Sequence, residues 1–161
     1  MLVERKQFVG MNMRLEALIL GSADLDRSKA FYEKLGWRLD IDFSAGDAFR
    51  IMQFTPPGSD FSIQFAKGRP TSAAGGVHNL YVVVPDIEAA RKELIDRGVQ
   101  VSEIVHAYPG EQPGPGLDPK RRSYASSATF SDPDGNSYLL QEITTRLPGR
   151  GGPELSATVS A

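Results

Sequence analysis

The 161-residue chain is 40% hydrophobic and 24% charged with a formal net charge of -2, a balance that suits one folded unit and supplies no basic excess to neutralise a run of phosphates, which excludes nucleic acid as a partner class. No apolar run approaches the roughly 20 residues that cross a bilayer, and the opening MLVERKQFVGMNM lacks the apolar core of a secretory signal, so no membrane partner and a cytoplasmic location are expected. With no cysteine and only His78 and His106, disulfides, thiolate nucleophiles and cysteine zinc sites are excluded.

The first element is the apolar run Leu18 to Leu20. Asp24 follows as a helix N-cap, Ala30, Phe31 and Leu35 give helical spacing, and Gly36 stops the helix. Trp37 directly after it is expected in a core or interface. Strand signals come next at Trp37 to Phe43, Phe49 to Phe54 and Phe61 to Phe65, with turns at AGD and TPPGSD. The pattern then repeats, Leu80 matching Leu18 at a distance of 62 residues. Leu80 to Val84 is a strand, Asp86 a cap, Ile87, Ala90 and Leu94 a buried stripe, and Gly98 a stop. Strands are expected at Val99 to Val105, Ser123 to Phe130 and Ser137 to Ile143, the last two joined by SDPDGN. Asp132 and Asp134 there are expected to shape the turn by bonding to its backbone.

The expected architecture is α+β, strand, helix and three strands used twice, as one domain over residues 14–145. Module 1 covers about 14–67 and module 2 about 76–145. An arm over 1–12 precedes it, and the composition of the tail over 146–161 suits disorder. The segment between Val105 and Ser123, HAYPGEQPGPGLDPKRR, is too long for a plain hairpin and suits a solvated loop or a lid over a pocket equally. Within it Arg121 and Arg122 are expected as a solvated charge cluster.

The duplicated pattern, the lead-ins SADLDRSKAFYEKLGW and VPDIEAARKELIDRGV, and the closing FSDPDGNSYLLQE resemble the vicinal oxygen chelate superfamily of glyoxalases, bleomycin-resistance proteins and dioxygenases. The resemblance implies two βαβββ modules whose curved sheets form a cup with a concave ligand face, and it implies a homodimer. In metal-dependent members a His on the opening strand and a Glu on the closing strand of each module converge on one divalent ion, a Lewis acid for a bidentate oxygen substrate. The corresponding positions here are Ala17 and Asn79, each seven residues before a capping Asp, and Gln64 and Leu139 on the closing strands. None is a strong ligand, so no metal is expected. His78 lies one residue from the family position, and a one-residue shift turns a strand side chain to the other face, which leaves it a weak metal candidate. Glu142 has the wrong parity to replace Leu139, whereas Gln141 shares its face.

On this register the cup is lined by Ala17, Ile19, Gln64, Asn79, Tyr81, Leu139 and Gln141, an apolar surface with amides and one phenol that suits a small-molecule ligand. His106, beside Tyr108 at the rim, and Tyr124 are weak acid/base candidates. The leading expectation is therefore a metal-independent protein that binds a small organic molecule. The alternatives are a lyase or isomerase of glyoxalase type, working through acid/base groups or through a divalent ion held by His78, Gln64 and Glu142, and a structural module with a filled cup.

Overall fold

The computed structural model describes residues 13–147, so the expected N-terminal arm and all but the first two residues of the expected tail lie outside the described residues. In chain order the elements are β1 (Ala17–Leu20), α1 (Leu25–Lys34), β2 (Arg38–Ala45), β3 (Phe49–Thr55), β4 (Ser62–Lys67), β5 (Leu80–Val84), α2 (Ile87–Asp96), β6 (Val105–His106), β7 (Gly114–Pro115), β8 (Ser126–Ser131) and β9 (Ser137–Glu142). They form two open sheets, β1-β4-β3-β2 and β5-β9-β8-β6-β7. The first strand of each module pairs parallel with the last, β1 with β4 and β5 with β9.

The caps explain why the helices begin where they do. The Asp24 carboxylate accepts from Arg27 N–H at 3.1 Å, and the Asp86 carboxylate from Ala89 N–H at 3.0 Å. Both helices end at a glycine in the left-handed region, Gly36 at φ 79 and Gly98 at φ 82.

Two expected strands are shorter than the sequence pattern suggests. Of Val99 to Val105, only Val105 joins the ladder, with His106. Ser102 is the cause: its N–H bonds the Thr129 carbonyl, but its hydroxyl takes the Thr129 N–H and its own carbonyl is taken by Arg91. A side chain thus replaces the ladder bond. The expected strand from Ser123 starts only at Ser126, because Tyr124 sits at φ 71, outside extended space.

Two residues of the long segment after β6, Gly114 and Pro115, form a fifth strand of sheet 2, and further bonds tether the segment there. β7 pairs with β6, Gly116 N–H bonds the Ile104 carbonyl, and His106 Nδ1 donates to the Gly116 carbonyl at 3.1 Å. Arg121 and Arg122 form a charge cluster in which both are ion-paired, Arg121 solvent-exposed and Arg122 half-buried. Arg122 grips Asp118 and Glu111, and Arg121 grips the buried Glu142.

One core serves both modules. Leu20, Tyr32, Leu35, Met52, Phe54, Ile63 and Phe65 of module 1 share a buried cluster with Val99, Phe130 and Tyr138 of module 2. Trp37 packs beside it, 5.4 Å from the Tyr32 ring and 5.6 Å from that of Tyr138. Helix α1 therefore lies between the back faces of both sheets. The SDPDGN turn fastens this arrangement with polar bonds. Asp132 accepts from Tyr32 Oη at 2.8 Å and from the Asp134 and Asn136 N–H groups, Asp134 accepts from Ala23 N–H and Arg27, and Asn136 Nδ2 donates to the Gly21 carbonyl. The expected bonding to the turn's own backbone is seen for Asp132, whereas the Asp134 carboxylate bonds only module 1 groups and serves as a clasp between modules.

Candidate functional site

Because α1 packs against both sheets from behind, each sheet turns its other face outward. In sheet 1 the register places Ala17 beside Ser62, Ile19 beside Gln64, and Gln64 beside Gln53. In sheet 2 Tyr81 pairs with Leu139 and Val83 with Gln141. These outward faces retain large apolar side chains in contact with solvent: Phe43 at 56% exposure and Ile41 on sheet 1, and Tyr81 at 60% and, across β9 and β8, Val105 on sheet 2. Large apolar groups left in solvent on both outward faces, with polar groups between them, are the kind of surface that binds a ligand or a partner.

Ala17, Ile19 and Gln64 thus share the outward face of sheet 1, and Tyr81, Leu139 and Gln141 that of sheet 2. Asn79 stands just before β5 at φ 56, which breaks the alternation that set its expected side, and its N–H bonds Ser137 Oγ. His78 also lies before β5 and is exposed. Glu142 is on the back face, 1% exposed, where it accepts from Arg121 Nη2 at 2.8 Å and from Ile87 N–H at the start of α2. The Arg121 guanidinium holds this carboxyl below its ordinary pKa, against the opposing effect of burial. That position removes Glu142 from any set with His78 and Gln64.

The donor chemistry at the corner positions does not make a metal centre. Ala17 and Leu139 have no ligating atom, Gln64 offers an amide, and among the described residues no three His, Cys, Asp or Glu side chains are grouped to hold an ion.

A polar chain missed by the sequence pattern crosses the outward face of sheet 1. Alternation over Trp37 to Phe43 puts Leu39, Ile41 and Phe43 on one side, but the register shifts between Leu39 and Ile41. This bulge leaves Leu39 paired with the core residue Phe54 and aligns Ile41 and Phe43 with Gln53 and Ile51 on the outward face. Asp40, the extra residue, accepts from the Thr55 hydroxyl, from Arg38 Nε and, at 3.2 Å, from Gln53 Nε2. Gln64 Nε2 in turn donates to Gln53 Oε1 at 2.8 Å, and Thr55 Oγ1 lies 2.7 Å from Ser62 Oγ. The Thr55 hydroxyl above all, then Arg38, lowers the Asp40 pKa to about 2, so the carboxylate is ionised at any ordinary pH. No glycine or proline in WRLDIDF marks the bulge.

The weak acid/base candidates do not converge. His106 pairs with Ser126, whose side chain is buried, whereas its neighbour Val105 belongs to the outward face. Tyr124 Oη accepts from Leu147 N–H at 2.9 Å, in an open cleft of about 660 Å³ that Tyr108, Arg122 and Thr144 also line. Tyr108 is stacked under Arg122, whose guanidinium lies 3.8 Å from the ring centroid.

The model of the Glyoxalase/Bleomycin resistance protein/Dioxygenase superfamily matches residues 14–138. Among solved structures, TnmS3, an antibiotic binding protein from Streptomyces sp. CB03234, is 28% identical with a TM-score of 0.62, the alignment covering 82% of this chain and 97% of that one. A glyoxalase/bleomycin resistance protein from the same Streptomyces is 29% identical with a TM-score of 0.59 and coverage of 80% and 100%. The bleomycin resistance determinant encoded on the transposon Tn5 shares the fold at 20% identity, with a TM-score of 0.53 and coverage of 83% and 100%. No curated protein matches the chain.

Proposed function

Given that the chain belongs to the Glyoxalase/Bleomycin resistance protein/Dioxygenase superfamily, we propose that it is a metal-independent binding protein. In this reading it holds a small organic molecule against its outward sheet faces, and a second copy of the chain supplies the opposite wall. The observation that carries the proposal is the pair of open faces. Each presents apolar side chains with interspersed amides, and the shared core turns them away from each other, so one chain alone leaves the ligand half enclosed. Small-molecule sites bury most of their ligand. A homodimer that sets sheet 1 of one copy against sheet 2 of the other meets that need. The antibiotic-binding relative at 28% identity supports a small organic ligand, and the donor set at the family's metal positions supports binding without an ion.

Thermal unfolding against a library of small organic compounds, antibiotics included, tests this. A ligand that binds only the folded state stabilises it by about 2.7 kcal/mol at a hundred times its Kd. The expected result is a set of stabilising compounds whose effect survives a chelator and is lost in Phe43→Asp. No stabilising compound, or stabilisation that appears only with added manganese, zinc or nickel, would contradict the proposal.

A further inference from the structure

The two glutamines of the outward faces are fixed in direction. An ionised carboxylate only accepts hydrogen bonds, so Asp40 compels Gln53 to turn its NH2 group inward, 3.2 Å from Oδ2. Gln53 then offers its carbonyl to Gln64, whose NH2 donates at 2.8 Å. The Gln64 Oε1 atom is left on the solvent side, with no donor bonded to it among the described residues. On sheet 2 a backbone carbonyl, which also only accepts, has the same effect: Gln141 Nε2 donates to Tyr124 O at 3.1 Å, leaving its Oε1 outward. Both side chains are half-buried, so these oxygens remain reachable.

We infer that Gln64 and Gln141 present fixed acceptor oxygens to the ligand, and that Asp40 is a specificity-determining positioning residue that locks the Gln64 amide. The site thereby selects apolar molecules carrying hydroxyl or N–H donors over isosteric molecules that only accept. An amide free to turn could satisfy a donor or an acceptor; a locked one leaves a buried ligand acceptor facing another lone pair. The low pKa of Asp40 keeps the lock closed across the ordinary pH range. This inference rests on the binding reading above and adds the chemistry of the ligand to it.

Two measurements on the full chain test it. Side-chain amide NMR of the free protein reports the lock. Gln53 and Gln64 are expected to show slowed exchange of one NH2 proton each, lost in Asp40→Asn, where the carboxamide can donate as well as accept. Ligand-observed titration with indole and with benzofuran, matched in shape but differing in the N–H donor, reports the selection. Wild type is expected to bind indole roughly threefold to tenfold tighter, the range of one net hydrogen bond. Gln64→Met is expected to bring the ratio toward one without abolishing binding. Equal binding of both compounds by wild type, or free exchange of the Gln64 amide, would overturn the donor selection while leaving the binding reading intact. If neither compound bound and Phe43→Asp also left every stabilising compound effective, the binding reading itself would fall.

Discussion

Tyr32 joins the two modules through a single oxygen. Its hydroxyl donates to Asp132 at 2.8 Å and lies 2.7 Å from Tyr138 Oη, which must therefore donate to it. Burial raises the pKa of both phenols, so both stay protonated. Tyr32→Phe removes a donor from a buried carboxylate and an acceptor from a buried phenol, and about 1–3 kcal/mol of stability should go with it. Urea unfolding is expected to show a lower midpoint at unchanged slope. Tyr138→Phe should cost less, because the bond from Tyr32 to Asp132 survives. A separate acid effect belongs to sheet 1. Asp40 and Asp42 both have pKa values lowered to about 2, Asp42 chiefly by Arg50. A carboxylate whose folded pKa lies below its unfolded value of about 4 stabilises fully above that value and loses the effect as pH falls toward 2. Circular dichroism should therefore show stability dropping between pH about 4 and about 2. Asp40→Asn should be less stable than wild type at pH 7 and should drop less over that window. On the outward faces, the family resemblance together with strand parity made Gln64 and Gln141 legible in the sequence. Asp40 stayed hidden because alternation carries no mark of a bulge unless a glycine or an unusual residue signals it.

At the scale of elements, the helices were legible from their ends, since an Asp before each apolar stripe and a Gly after it are local signals with local causes. Asp24→Ala should cost about 1 kcal/mol through the lost cap, read from the urea midpoint. The strand over Val99 to Val105 was misjudged because its fate was settled by Ser102 and Arg91 bonding groups that no apolar pattern encodes. The long segment before β8 carries no apolar pattern because its tethers are ion pairs, Arg121 to Glu142 across 21 residues and Arg122 to Asp118 across four. Glu142 connects that segment to the start of α2, so Glu142→Gln, which weakens the pairing with Arg121, should raise hydrogen exchange in residues 118–124 and in the first turn of α2 together. Unchanged exchange there would show that the loop is held by Asp118 and Arg122 alone. Gly21 marks a further close approach, where an added Cβ would stand 2.2 Å from the Ser72 carbonyl oxygen.

For the whole molecule, the duplication and the fold followed from sequence, because a repeated Asp-helix-Gly unit between strands admits few arrangements. The direction in which the modules face did not follow, since it is fixed by Tyr32, Asp132, Asn136 and Gly21, contacts about 100 residues apart that become visible only in space. That direction leaves two apolar faces open, and the proposed two-chain binding site rests on it. Native mass spectrometry of the full chain as purified, at micromolar concentration and without added metal, tests this most directly. The expected result is a two-chain assembly that Phe43→Asp disrupts, able to carry an organic ligand with no divalent ion. A monomer at every concentration, or one ion bound per chain in stoichiometric amount, would contradict it.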